Sequence, residues 1–402
     1  MDHLFSSKIS GSTIDLTMGA PSTEVLSKLP RMFAAATHAR MEQEAGTGNL
    51  FQYGPEQGIL SFRRNLAQFL SAKYSDHVDE DELIVTTGAT NGLSLTCSVL
   101  LDRNAVVFVE NPTYFIALKL LSADHGFRIV PVPLNKDGID TEQLEKLVKK
   151  EKEKAPIPEQ GRFWSMLYTI PNFHNPTGIT FKPETCQQIV RISRENEMLV
   201  MCDDVYNLLV YGDKPQFSRL KSFDRDGFVI SNGTFSKILA PGVRLGWLEV
   251  PARLVPRFTK SGIFQSAGAQ NNYTAGIVST LLQNGAIEEH IGYVRDLYKE
   301  RMDTMYEYLK EHLPENWTVE HPGGGCFLWI QADTDLTGFL PMLKSSGVVV
   351  LSGPQASPYT FLGREQEDTL SNCMRLAVSF HPIHLLMEAC RILCEQANLF
   401  IR

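Results

Sequence analysis

The feature that most constrains this chain is a series of short apolar segments across residues 82–250, each parted from the next by a stretch of helical pattern. The segments expected as strands are 83–86, 105–109, 127–132, 163–169, 198–202, 228–231 and 244–250. Several are apolar at successive positions rather than at every second one. Such a strand needs cover on both faces, which a parallel sheet flanked by helices supplies. Strand and helix alternating over this length predict an α/β domain.

The pattern changes on either side. Residues 1–21 read as an irregular arm, and 22–40 and 59–75 as helices. Residues 251–313 carry mostly helical signals. A glycine-rich break, Pro322-Gly323-Gly324-Gly325, precedes strand candidates at 326–330, 348–351 and 374–378, with helices at 335–344 and 382–398. The expectation is a smaller α+β domain formed by the C-terminal part and the N-terminal arm. The expected division is 1–45 for the arm and its small-domain segment, 46–288 for the large domain and 289–402 for the small one.

Composition removes several function classes. Of the 402 residues, 43% are hydrophobic and 21% charged, which is not the balance of a disordered chain. The net charge of −8 suits no nucleic-acid partner, whose phosphates need clustered Lys and Arg. No run of about 18 apolar residues offers a membrane span, and residues 1–15 lack a signal-peptide core. The seven cysteines are scattered without a C-x-x-C, so they read as small core hydrophobes in a reducing compartment. A cytoplasmic location is expected, with a mitochondrial one left open. The charge runs 76–82 and 146–154 read as solvated ends. His381-x-x-His384 and Cys390-x-x-x-Cys394 read as packing, with no metal expected. Sequons at Asn232, Asn272 and Asn316 read as accidents.

The most informative stretch runs from Ser231 to Trp247, SNGTFSKILAPGVRLGW. Lys237 follows a strand and a loop dense in hydroxyls, and Arg244 opens the next strand. Hydroxyls with one planar guanidinium make a phosphate grip. A lysine beside such a grip can form a Schiff base with an aldehyde on the phosphate ligand, and pyridoxal phosphate is that ligand. Three other segments fit it. The apolar strand MLVMCD ends in Asp203 and Asp204, followed by Tyr206. Ligands of open α/β sheets lie beyond the carboxyl ends of strands, where a carboxylate can keep a pyridine nitrogen protonated. Thr86-Thr-Gly-Ala-Thr-Asn-Gly places a helix start against an anion. Ile170-Pro-Asn-Phe-His-Asn-Pro-Thr-Gly holds Asn175 extended before a proline.

With these motifs in hand, the sequence resembles the class I/II aminotransferases, fold-type I pyridoxal-phosphate enzymes, from about residue 14 to 398. GTFSKILAPGVRLGW carries the resemblance most specifically, preceded in order by QYGPEQG, ENPTY, HNPTG and DDVY. Within the family it is most similar to the 2-aminoadipate, kynurenine and aromatic aminotransferase group. The resemblance implies Lys237 as the Schiff-base lysine, Asp203 as partner of the pyridine nitrogen, and Tyr206 and Asn175 on the phenolic oxygen. It implies Tyr114 stacked on the ring and phosphate contacts at Ala89, Thr90, Thr234, Ser236 and Arg244. Tyr53 is implied to cross a homodimer interface to the neighbouring site. Arg375 is implied to clamp the substrate carboxylate, with a backbone contact from Gly19. Two positions depart from the pattern: Ala89 stands where many relatives have serine, and Cys326 where methionine is usual.

The implied function is amino transfer between an L-amino acid (2-aminoadipate, aromatic or similar) and a 2-oxo acid such as 2-oxoglutarate. The alternative within enzymes is a β/γ-lyase on the same scaffold, because a fold does not choose the chemistry. A ligand-sensing regulator is the alternative from another class, and would need an attached DNA-binding module.

Overall fold

The computed structural model describes residues 13–212, 218–268, 270–364, 367 and 369–402. The first twelve residues of the expected arm lie outside the described residues. In chain order the strands are β1 (Ile14–Asp15), β2 (Leu83–Thr86), β3 (Leu101–Asn111), β4 (Arg128–Asn135), β5 (Gly138–Ile139), β6 (Phe163–Thr169) and β7 (Leu199–Asp203). They continue as β8 (Val229–Thr234), β9 (Gly246–Glu249), β10 (Thr318–Val319), β11 (Phe327–Gln331), β12 (Val348–Val349), β13 (Leu351–Ser352) and β14 (Cys373–Ala377). The helices used below are α1 (Leu29–Glu44), α2 (Leu60–Tyr74), α3 (Ala89–Leu100), α4 (Thr141–Lys152), α5 (Pro183–Asn196), α6 (Asn272–Gln283), α7 (Ala286–His312), α8 (Phe339–Ser345) and α9 (Ile383–Phe400).

Eight strands form one sheet in the order β2-β9-β8-β7-β6-β3-β4-β5. The pairs β8–β7, β7–β6, β6–β3 and β3–β4 are parallel, while β9 runs antiparallel to both β2 and β8. Both faces are buried, as the successive apolar residues require. On β3, Val107 and Val109 enter the core shared with α2, α3 and α6, and Val106 and Phe108 enter the core under α4 and α5. Capping fixes the helix ends locally. Asp140 accepts the Gln143 N–H at the start of α4, and α5 begins at Pro183, where a missing N–H costs nothing.

A second core gathers β11, β14, α8, α9 and the last turns of α7, and the arm residues Ile14 and Leu16 belong to it. The 27-residue α7 joins the two cores: Ile287, Ile291, Val294 and Tyr298 pack in the first, Met302, Met305 and Leu309 in the second. The arm is tied by β1, parallel to β12, and by the Ala377 N–H donating to Leu16 O at 2.8 Å.

Several expectations are corrected in detail. The segment 348–351 is two strands in different sheets: β12 pairs the arm and β13 pairs β14, with Val350 buried between them. The helix expected at 22–40 breaks at residues 27–28, and α1 restarts with Pro30 in its first turn. Arg244 does not open β9. It stands in a left-handed turn (φ 46°), and the strand begins two residues later. Two charges are less solvated than expected, since Glu151 is buried against Arg128 and Asp76 pairs with buried Arg219 at 2.8 Å. All seven cysteines are buried. Among the described residues no group of His, Cys, Asp and Glu is arranged to hold a metal, and no helix is long and apolar enough to cross a membrane.

Gly246 shows how tightly the sheet edge is built. A Cβ there would lie 2.6 Å from Gly233 O and 2.8 Å from Gly88 Cα, both backbone atoms that cannot swing away. Gly246→Ala is therefore expected to cost about 1–3 kcal/mol in a denaturant titration of the cofactor-free protein. An unchanged midpoint would contradict this packing.

Candidate active site

The predicted residues converge because the topology aligns the carboxyl ends of neighbouring strands. Asp203 ends β7, Thr234 ends β8 with Lys237 three residues beyond, Asn175 follows β6, Tyr114 follows β3, and Gly88–Ala89 turn from β2 into α3. Ligands of open α/β sheets bind at this edge.

Asp203 is buried, and its carboxylate has two partners. Tyr168 OH donates to Oδ2 at 2.7 Å and Asn232 Nδ2 donates to Oδ1 at 3.1 Å. Asn232 lies opposite Asp203 in the β7–β8 register, and its amide also donates to Ala89 O at 3.0 Å. One amide thus ties the acid to the start of α3. Burial raises the Asp203 pKa to about 6, helped by Asp204 and opposed by Tyr168, Lys237 and Asn232. Neither Tyr168 nor Asn232 was predicted. The available signal was a polar side chain on a strand expected to be buried on both faces.

Above this carboxylate lies a cradle of donors. Gly88 takes φ 105°, and no side chain caps α3, so its first-turn N–H groups are open. Arg244 Nη2 donates to Thr87 O at 2.9 Å and Nη1 to Pro241 O at 3.0 Å. A Cβ at Gly88 would come within 2.9 Å of Arg244 Nη2, so the glycine lets the guanidinium close on the turn. Thr234 and Ser236 add hydroxyls 3.0 Å apart. Ala89 is half-exposed and Thr90 exposed. The positive helix end, a guanidinium and two hydroxyls are the donor chemistry a phosphate ester takes.

On the facing side, Lys237 Nζ donates to Gly19 O at 2.7 Å. Arg375 Nη1 donates to Asn175 Oδ1 at 2.6 Å and Nη2 to Thr17 O at 2.5 Å. The buried Arg375 Nε has no partner, which leaves the guanidinium a donor for a ligand. Its carbon lies 4.0 Å from the Phe327 ring centre, and Phe327 meets Tyr206 edge-on at 5.7 Å. A Cβ on Gly19 would strike Phe327 at 2.5 Å. Burial, then the Arg375 charge, lowers the Lys237 pKa, against Cys326 and Asp203. Burial brings Arg375 down to about 10, lifts Tyr114 to about 12 and the Cys326 thiol to about 11, and pushes Tyr206 well up. Tyr53 does not join the cluster within one chain; it is 78% exposed.

Asp203 gives the site a pH signature. Its folded pKa lies above its unfolded one, so the stability that the protonated form contributes is complete below about pH 4. That stability is lost as pH rises through about 6. The denaturant midpoint of the cofactor-free protein is expected to fall across this window, and Asp203→Asn should flatten it and resist denaturant better at pH 7. A wild-type slope in Asp203→Asn would contradict the assignment.

The donor set suits pyridoxal phosphate: the buried Asp203 carboxylate would meet a ring nitrogen, the α3 cradle would hold a phosphate, and Lys237 would supply an amine. Comparison with known proteins agrees. The model of the family "Aminotransferase class I and II" matches residues 12–393. The chain is 27% identical to aromatic-amino-acid aminotransferase 1 of Thermococcus litoralis over 95% of its own length and 87% of that protein's. It is 28% identical to 2-aminoadipate transaminase of Thermus thermophilus over 84% and 80%. Among solved structures, Pyrococcus horikoshii kynurenine aminotransferase, in complex with PMP, superposes with a TM-score of 0.84 at 28% identity, covering 98% of this chain and 92% of that one. This chain therefore belongs to the class I and II aminotransferases and is a transaminase that uses pyridoxal phosphate.

Proposed function

We propose that the enzyme moves an amino group from an aromatic L-amino acid, 2-aminoadipate or a similar donor to a 2-oxo acid such as 2-oxoglutarate, using the residues assembled above. The observation that carries this reading is two cations, Lys237 and Arg375, held on the arm's backbone opposite the buried Asp203. Pyridoxal phosphate, when bound, supplies an aldehyde that links to amines and a ring that draws electron density from the substrate Cα. Lys237 would hold it through its amine. Asp203 would hold the ring nitrogen protonated, Tyr206 and Asn175 would serve the phenolic oxygen, and Tyr114 would pack against the ring. Ala89, Thr90, Thr234, Ser236 and Arg244 take the phosphate.

Arg375 pairs with the substrate carboxylate in the planar fork that guanidinium and carboxylate share, with Gly19 beside it. Lys237 Nζ, its pKa lowered by burial and Arg375, would take the substrate Cα proton as a neutral amine. Tyr206 and Phe327 place aromatic surface beside the Arg375 guanidinium, which suits an aromatic side chain on the substrate.

The proposal includes a homodimer. Phe51, Tyr53 and Tyr273 are 69%, 78% and 45% exposed, and the Phe51 and Tyr273 rings stand 5.8 Å apart. This apolar patch suits burial against a second copy, with Tyr53 reaching the neighbour's phosphate. A cytoplasmic location goes with it, supported by cysteines used as buried apolar side chains.

The test is an amino-acid panel with 2-oxoglutarate, following glutamate. Aromatic donors and 2-aminoadipate should be consumed one for one without ammonia; ammonia release would favour the lyase. Lys237→Ala should lose turnover and the visible absorbance of bound cofactor, and Asp203→Asn should slow proton removal by about 10²–10⁴-fold. A Lys237→Ala enzyme with normal absorbance would refute the role. Tyr53→Phe should weaken cofactor retention about tenfold, the scale of one hydrogen bond to a charged group. Normal cofactor binding by a monomer would overturn the dimer.

A further inference from the structure

Beneath the site lies a buried pair that the roles above do not use. Glu110 and His174 are both 0% exposed, with His174 Nε2 3.3 Å from Glu110 Oε2. Glu110 Oε1 accepts from Thr169 Oγ1 at 2.5 Å and from the Ile170 N–H at 3.0 Å, and Oε2 also accepts from Thr113 Oγ1 at 3.5 Å. His174 Nδ1 lies 3.4 Å from the Thr177 N–H and 2.8 Å from its hydroxyl. An N–H only donates, so Nδ1 is the acceptor and the ring proton sits on Nε2, directed at Glu110.

The placement is what matters. Thr113 precedes Tyr114 in the loop after β3, and His174 precedes Asn175 in the loop after β6. Glu110 therefore takes donors from both loops at once. Asn175 in turn accepts from Arg375 Nη1 at 2.6 Å. We infer that Glu110 and His174 are positioning residues that set Asn175, and through it the Arg375 fork, against the Tyr114 loop, and so govern recognition of the substrate carboxylate. This rests on the reading of Arg375 as the carboxylate clamp.

The probe is 3-phenylpropionate, a carboxylate without an amine, whose Kd for the holoenzyme is measured by calorimetry. His174→Leu fills the space without a donor and is expected to weaken binding about tenfold or more, with cofactor content and circular dichroism unchanged. His174→Gln, which offers an amide N–H to Glu110, should recover most of that loss. In kinetics, His174→Leu should raise KM for the amino donor more than it lowers kcat. If His174→Leu does not fold, Thr177→Val, which removes the hydroxyl partner of Nδ1, carries the same expectation of weaker binding. Wild-type affinity in the folded variant, or a His174→Gln as weak as His174→Leu, would overturn the inference. Arg375→Leu separates the two readings: if it binds the probe normally, the clamp itself is misassigned.

Discussion

The site depends on one buried carboxylate. Asp203 sits at the end of a central strand, where its charge is costly, and two neighbouring strands share in holding it: Tyr168 from β6 and Asn232 from β8. Because Asn232 also holds the first residue of α3, the acid and the phosphate cradle are set by the same amide. The spacing between the acid and the start of α3 is thus tied to the β7–β8 register. The raised pKa of Asp203 marks a carboxylate without a full counter-charge in the cofactor-free protein.

The opposite wall is built differently. Lys237 follows β8 of the large sheet and Arg375 lies on β14, yet both donate to carbonyls of the arm, at Gly19 and Thr17. The arm is anchored in the second core through Ile14 and Leu16. Residues far apart in sequence thus meet across the two cores, to both of which α7, β11 and β14 contribute side chains.

The large sheet was legible because burial on both faces leaves continuous apolar strands, and β2 and β6 were expected with their observed limits. The residues gathered at this sheet edge were legible because their loops carry compact motifs. Less legible was what depends on pairing. Residues 348–351 look like one strand because apolar pattern does not say that two halves join different sheets. The turn at Arg244 was hidden because a left-handed arginine leaves no compositional mark. Tyr168 and Asn232 were missed because their partner lies one strand away in space but 35 and 29 residues away in sequence.

The arm's grip on the two cations is made by main-chain oxygens, which every residue type supplies equally. Replacing the side chain of Thr17 leaves its carbonyl in place, so an alanine substitution there would pass over the contact. Shortening the segment, or exchanging an amide for an ester at one bond, is what reaches it. Selection on such a contact acts on the path of the chain, and the amino-acid identities along it are free to drift wherever packing permits, as it does not at Gly19 under Phe327.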